Sequence, residues 1–335
     1  MMNGSGSALF TDPDDYRANL PGLVDFVVPR VRDFSARLTW MDLTDLRLLH
    51  IRETVPRVAH VSLPTEFVFI TFPTRRTPAL ICDGIQLELG DIVVHSLGQR
   101  LHQRTTAATA WGLIALTPAS LQAYGRTFTE INIALTPFGQ ILRSRPSDAR
   151  CLLRLHAEAI RIAETKLSHI GHAEVARAVQ QEMIGALAGC LADAGRCSIS
   201  TAARRNASVL ARLEDALKAH PSRQPRVSQI CNAIGASESA LRNHCLNVLG
   251  MRPARYLQLR HLERVRLALR RTMASEAEVM QSYGFVDLHH YVAAYRNALG
   301  APPRIGSPTG WHDDPHSGSA LQFPILHSHP PGRGG

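Results

Sequence analysis

The stretch VSQICNAIGASESALRNHCLNVLG, residues 227–250, decides how the C-terminal third of this chain folds. Val227, Ile230, Cys231 and Ile234 recur three or four residues apart and share one helical face. Gly235 ends that helix, and Ser237 stands where it can cap the next. Leu241, Cys245, Val248 and Leu249 then carry the apolar face onward. EVMQSYGFVDLHHYVAAYRNALG, residues 278–300, repeats the plan: Val279 and Met280 precede Gly284, Asp287 caps the following helix, and Tyr291, Ala294, Tyr295 and Ala298 face inward. Each unit reads as helix, glycine turn, helix. Those are the proportions of a helix-turn-helix, whose second helix leaves one face free for a DNA groove.

Charge points the same way. Residues 201–310 hold sixteen Lys or Arg against seven Asp or Glu, a local balance of +9, equal to that of the whole 335-residue chain. A basic excess confined to the segment with the turn signals is what phosphate neutralisation requires. Lys218 is its only lysine; guanidinium groups bond phosphates and guanine edges in bidentate fashion, as ammonium groups cannot.

Working outward, the length predicts more than one domain, and the texture predicts an α+β multidomain chain. Residues 1–20 are Gly/Ser/Asp-rich and read as a disordered N-terminus. Residues 21–145 carry short runs such as Glu66-Phe67-Val68-Phe69-Ile70-Thr71-Phe72, punctuated by Pro and Gly, and read as a β-rich domain. Within it Asp83-Gly84 marks a hairpin. Residues 146–195 hold two apolar stripes, one through Leu152, Leu155 and Ala159, the other through Val179, Met183 and Leu187, split at Gly171-His172. They read as an antiparallel helical pair that closes the β domain or offers a seam for a homodimer. Residues 196–206 read as a linker, 207–306 as the DNA-binding domain and 307–335 as a disordered tail. No apolar run is long enough to span a membrane and the start is unlike a signal peptide, so the expected setting is the cytoplasm, without a membrane partner. Six scattered cysteines without a CxxC pair read as structural thiols in a reducing compartment; Cys197, beside Arg196, is the one redox candidate.

With Ile230 and Ala233 before Gly235, then Ser237, Leu241, Gly250, Pro253 and Tyr256, the Arg-rich run from Arg260 to Arg266, and Gly284-Phe285, Asp287, Tyr295-Arg296, Gly300 and Pro302, the sequence resembles the AraC/XylS family of bacterial transcription regulators over roughly residues 207–305. The resemblance implies two helix-turn-helix units joined by a rigid helix, reading successive major grooves. It implies RNA polymerase as a further partner, an unidentified small-molecule effector, and activation more than repression. The β-rich half is more weakly similar to the cupin-like barrels that precede this DNA-binding domain. The chain departs from the family where Asn243, Cys245 and Ala293 replace the usual Arg, aromatic and Arg, and where Pro303-Arg304-Ile305 replaces Tyr-Arg after the last proline.

Ser239, Arg242 and Asn243 on the first recognition helix, and His289 and His290 on the second, are the candidate base-reading residues. Arg242 suits guanine O6 and N7, and Asn243 suits adenine N6 and N7. Ser237, His244, Asn247, Arg260, Arg264, Arg270, Arg271 and Arg296 are the candidate phosphate contacts. No cofactor, catalytic residue or metal site is expected: His95 and His102 are the only histidines placed like a cupin pair, and they are seven apart with no HxH. Nucleophile elbow, Walker loop and GxGxxG are lacking. The expected function is a sequence-specific regulator. The rival readings are a metal-dependent cupin-like enzyme with an accessory DNA-binding tail, and a non-specific architectural DNA binder.

Overall fold

The computed structural model of the protein describes residues 4–76, 80–128, 139–165, 173–192, 195–197, 201–219, 224–271 and 274–303. The N-terminal half is built from two antiparallel sheets. The larger runs in the order β1 (Ser5–Phe10), β3 (Ala36–Asp42), β4 (Leu46–Glu53), β11 (Thr109–Leu116), β6 (Val68–Pro73), β9 (Asp91–Val94), β12 (Gln140–Arg143) and β13 (Gly195–Cys197). The smaller has β2 (Leu23–Val27), β5 (Arg57–Ser62), β10 (Arg100–Thr105), β7 (Leu80–Cys82) and β8 (Ile85–Leu87). Alternation along the strands sends one set of side chains between the sheets: Leu38, Leu49, Ile51, Phe69 and Leu113 meet Phe26, Ala59, Leu80 and Leu101 there. The expected barrel is thus a pair of facing sheets, and no ladder joins them among the described residues. Asp83 at φ 47° and Gly84 at φ 83° make the tight turn between β7 and β8 that the sequence announced.

The opposite face of the larger sheet carries Met41, Leu48, Ile70 and Ile114, and the helical pair covers it. Helix α2 (Pro118–Phe128) follows β11; α3 (Pro146–Thr165) and α4 (Ala173–Ala192) bury Leu152, Ala159, Met183 and Leu187 on that face. Their apolar stripes are therefore spent on the sheet. The break at Gly171-His172 lies outside the described residues.

The C-terminal half is helical: α5 (Thr201–Ala219), α6 (Val227–Ile234), α7 (Glu238–Leu249), α8 (Pro253–Arg271), α9 (Glu276–Tyr283) and α10 (Leu288–Leu299). Gly235 and Gly284 stop α6 and α9 in the left-handed conformation, at φ 63° and 79°. Ser237 Oγ accepts from the Ala240 amide to open α7, and an Asp287 carboxylate oxygen accepts from the His290 amide to open α10. Leu210, Leu213, Ile230, Leu241, Val248, Leu257, Val265, Met280 and Tyr291 share the core of this half.

Two boundary expectations fail. Residues 1–20 hold β1 and α1 (Pro13–Asn19): Asp12 caps α1, proline opens it, and Tyr16 is fully buried with its hydroxyl donating to Glu53 at 2.7 Å. Residues 196–206 are not a free linker either. Arg196 and Cys197 lie in β13, paired with β12, and α5 already begins at Thr201. A polar surface helix looks like a linker when only its composition is read, because its apolar stripe starts at Val209. The expected tail from 307 lies outside the described residues, as does the side chain of Cys197.

Candidate nucleic-acid interface

The first recognition helix, α7, buries Leu241, Cys245, Val248 and Leu249 and turns Ser239, Arg242 and Asn243 outward, as its 3.6-residue period requires. The second, α10, buries Tyr291, Tyr295, Ala298 and Leu299 and leaves His289, His290 and Arg296 exposed. All five candidate base readers thus sit in the solvent, three of them in the first turns of α7 and two in the first turn of α10. Asn247 is exposed too, although the hairpin turn at Gly84 lies against its backbone.

The candidate phosphate contacts divide. Ser237 is exposed, with its hydroxyl capping α7. His244 is half-buried and bonded through Nδ1 to Asn206 of α5, so it faces the domain interior. Arg271 has a side chain outside the description. Arg260, Arg264 and Arg270 contradict the expectation, because these residues of α8 turn to the protein itself. The Arg260 side chain is only 4% exposed and is held by the carboxylates of Glu214 and Asp25. Arg264 donates to the Leu217 carbonyl at 3.1 Å. Arg270 bonds Asp14 at 2.8 Å and Asp12 at 3.1 Å, and its neighbour Arg266 bonds Asp14 at 2.7 Å and Glu263 at 2.7 Å. A buried guanidinium needs an acid, and Asp12, Asp14 and Asp25 come from the other half of the chain, while Glu214 and Glu263 come from the same half.

The result is a polar seam between the halves. Glu214, on α5, is its centre: Oε1 accepts from Tyr256 at 2.8 Å and from His102 Nε2 at 3.0 Å, while Oε2 faces Arg260. Burial would raise the Glu214 carboxyl, yet Arg260 and then His102 hold it well below the ordinary carboxylate range. Asp14 behaves alike: burial raises it, and the Arg266 guanidinium overrides burial. Nearby, Arg100 pairs with Asp215, and Arg104 Nε donates to the Val248 carbonyl at 3.3 Å. The two cupin-like histidines part company. His95 bonds Thr71 at 3.0 Å inside the β domain, whereas His102 turns out to Glu214.

The residues of the seam, Asp12, Asp14, Asp25, Glu214, Tyr256 and Arg266, were not legible as a site. Asp12-Pro13-Asp14-Asp15 did carry the signature of a capped helix start, which would have placed α1.

Residues 230–305 match the model of a helix-turn-helix domain family. The match takes in the first glycine-turned unit from Ile230 on, the helix after it and the whole of the second unit. Residues 230–305 form an AraC-type helix-turn-helix domain. No curated protein matches the chain. Among solved structures it is similar to the AraC-like transcriptional activator CuxR (18% identity, 77% of this chain and 94% of that chain, TM-score 0.43). It is also similar to ToxT from Vibrio cholerae with an unsaturated fatty acid bound (8% identity, 78% and 94%, TM-score 0.30). A third likeness is to an AraC-type DNA-binding regulator from Chromobacterium violaceum (24% identity, 29% and 87%, TM-score 0.26). The AraC-type domain makes this protein a DNA-binding regulator. No helix among the described residues is long and apolar enough to cross a membrane.

Proposed function

We propose that the protein is a cytoplasmic, sequence-specific transcriptional activator in which the β domain sets the posture of the AraC-type domain on DNA. The observation that carries this is the seam: three arginines of α8, the helix that joins the two reading units, are held by aspartates of the N-terminal half. A force on the β domain is thereby transmitted to the element that fixes the spacing of α7 and α10. Arg242, Asn243 and Ser239 read bases, and His289 and His290 assist from the second unit. Ser237, Asn247 and Arg296 hold phosphates. The effector is a small, largely apolar molecule. The packed space between the sheets holds only about 40 Å³, so the effector takes the roomier cleft of about 690 Å³ between the β domain and α5, lined by Val93, His95, Leu97, Leu101, Ile141 and Ser208. RNA polymerase is the partner that activation implies. A homodimer through α3 and α4 would use their outer faces, where Arg154 and Glu158 stand, because the apolar stripes are buried on the sheet.

Selection of bound fragments from random DNA by the full chain tests the reading. A shared consensus bound at least 10³-fold more tightly than random DNA at physiological salt is expected. Equal affinity for all sequences would return the architectural alternative. Placing the recovered site upstream of a reporter promoter should raise transcription, and a fall would reverse the sign of regulation.

A further inference from the structure

Three ligating side chains from three separate elements converge in the seam: Asp25 of β2, His60 of β5 and Glu214 of α5, whose donor atoms all lie within 4.8 Å of one another. His60 Nδ1 points at both carboxylates and is bonded to neither. It lies 3.5 Å from Glu214 Oε2 and 3.7 Å from Asp25 Oδ2. Its side chain is 1% exposed, and Nδ1 has no hydrogen-bond partner. A buried imidazole nitrogen left so is costly unless something else occupies its lone pair. The two separations exceed hydrogen-bond length but approach the edge of a tetrahedron of donors around one ion, roughly 3.4 Å for bonds of 2.0–2.1 Å.

We propose that Asp25, His60 and Glu214 bind a divalent transition metal ion, of the Zn²⁺ class, which bolts the β domain to the AraC-type domain. The surroundings support it. His102 and Tyr256 occupy Glu214 Oε1 and turn Oε2 inward. Arg260 takes a lone pair on each carboxylate, orienting both, and its own Nε is left over. Such outer partners fix the direction of metal ligands. Two carboxylates against the one guanidinium bonded to them leave a negative charge, partly screened by Arg264, for the ion to meet. Asp25, with a side chain 21% exposed, gives the ion a way in and leaves room for water as a fourth ligand. His102, one of the cupin-like pair, orients Glu214 and is not itself a ligand, and the role of the site is structural or regulatory. It is also independent of whether the protein reads DNA.

Co²⁺ is the probe. The full chain, stripped with a chelator, is titrated with Co²⁺ and then Zn²⁺, following visible d–d absorption and calorimetry. Expected is one equivalent with tetrahedral absorption, displaced by Zn²⁺. His60→Gln and Asp25→Asn should each weaken that binding at least tenfold with unchanged far-ultraviolet circular dichroism. X-ray absorption at the cobalt edge of the wild-type chain should show nitrogen and oxygen donors with a single imidazole, a readout that survives if either variant misfolds. A wild-type chain that takes up no Co²⁺ would mean that His60 packs between the two acids without an ion, and the proposal falls. Equal stoichiometry and spectrum in His60→Gln would place the ion elsewhere, for instance on His327 and His329 in the tail, and overturn it equally.

Discussion

Arg242 and Arg260 look interchangeable in the sequence, each an arginine in a basic helical segment, yet they occupy opposite environments. Arg242 stands in solvent on the outer face of α7. Its replacement by Ala should cost roughly 1–3 kcal/mol of DNA affinity and relax the preference at one base position, as read by binding to a panel of single-base variants. Arg260 is enclosed with Glu214 and Asp25. Arg260→Ala should leave base preference alone and destabilise the fold by about 3–5 kcal/mol, because it strands a buried carboxylate. Denaturant unfolding monitored by circular dichroism separates the two effects. A stable Arg260→Ala variant with a reduced salt slope would restore that residue to the DNA-facing set. The burial that distinguishes them comes from Asp25, 235 positions away from Arg260. No local pattern announces such a partner.

At the scale of elements, what repeats every 3.6 or 2 residues was legible: both helix-turn-helix units, their caps and the Asp83-Gly84 hairpin followed from glycines, cap residues and apolar spacing. Elements whose stability is tertiary were not: by composition alone α1 reads as a loose end and the start of α5 as a linker. The two reading helices also differ in what they present. Outer positions of α7 carry Arg242 and Asn243, while α10 offers His289 and His290 beside the apolar Leu288 and Val292. Sequence information should therefore concentrate in one half of the selected site. Changing His289 and His290 together to Ala should lower affinity without altering the consensus. Two equally sharp segments one helical turn apart, per bound chain, would count against that. Burial pushes His95, inside the β domain, and His156, on α3 against the larger sheet, down to about 4 each. Both fold neutral, so the unfolded chain takes up their protons first. Stability should be intact above about pH 6.5 and decline as pH falls toward 4, by roughly 3 kcal/mol for each histidine. Equilibrium unfolding from pH 7 to 4 measures this, and His156→Gln should flatten the slope; a flat wild-type profile would mean these histidines are not held neutral.

At the scale of the whole molecule, the C-terminal core is nearly self-sufficient. Apart from Val27 and Val58, its buried residues all come from position 209 onward. A fragment of residues 201–310 should consequently fold and bind DNA alone, with affinity that falls steeply with salt. A folded fragment inert at low salt would remove DNA binding from this half. Freed of the seam, the fragment should also show a steeper salt slope than the full chain, since Arg266 and Arg270 regain solvent.

The pairing of Asp14 with Arg266 spans 252 positions. During synthesis, Asp14 leaves the ribosome long before Arg266 exists. At about 5–20 residues per second, the first helix waits roughly 10–50 s for its partner. The nascent β domain must then hold two acids and an unfinished surface in water until the last third of the chain arrives. A fusion or tag at the amino terminus that ties up those acids in the interval should cut the yield of native protein, whereas the same tag at the carboxyl terminus should not.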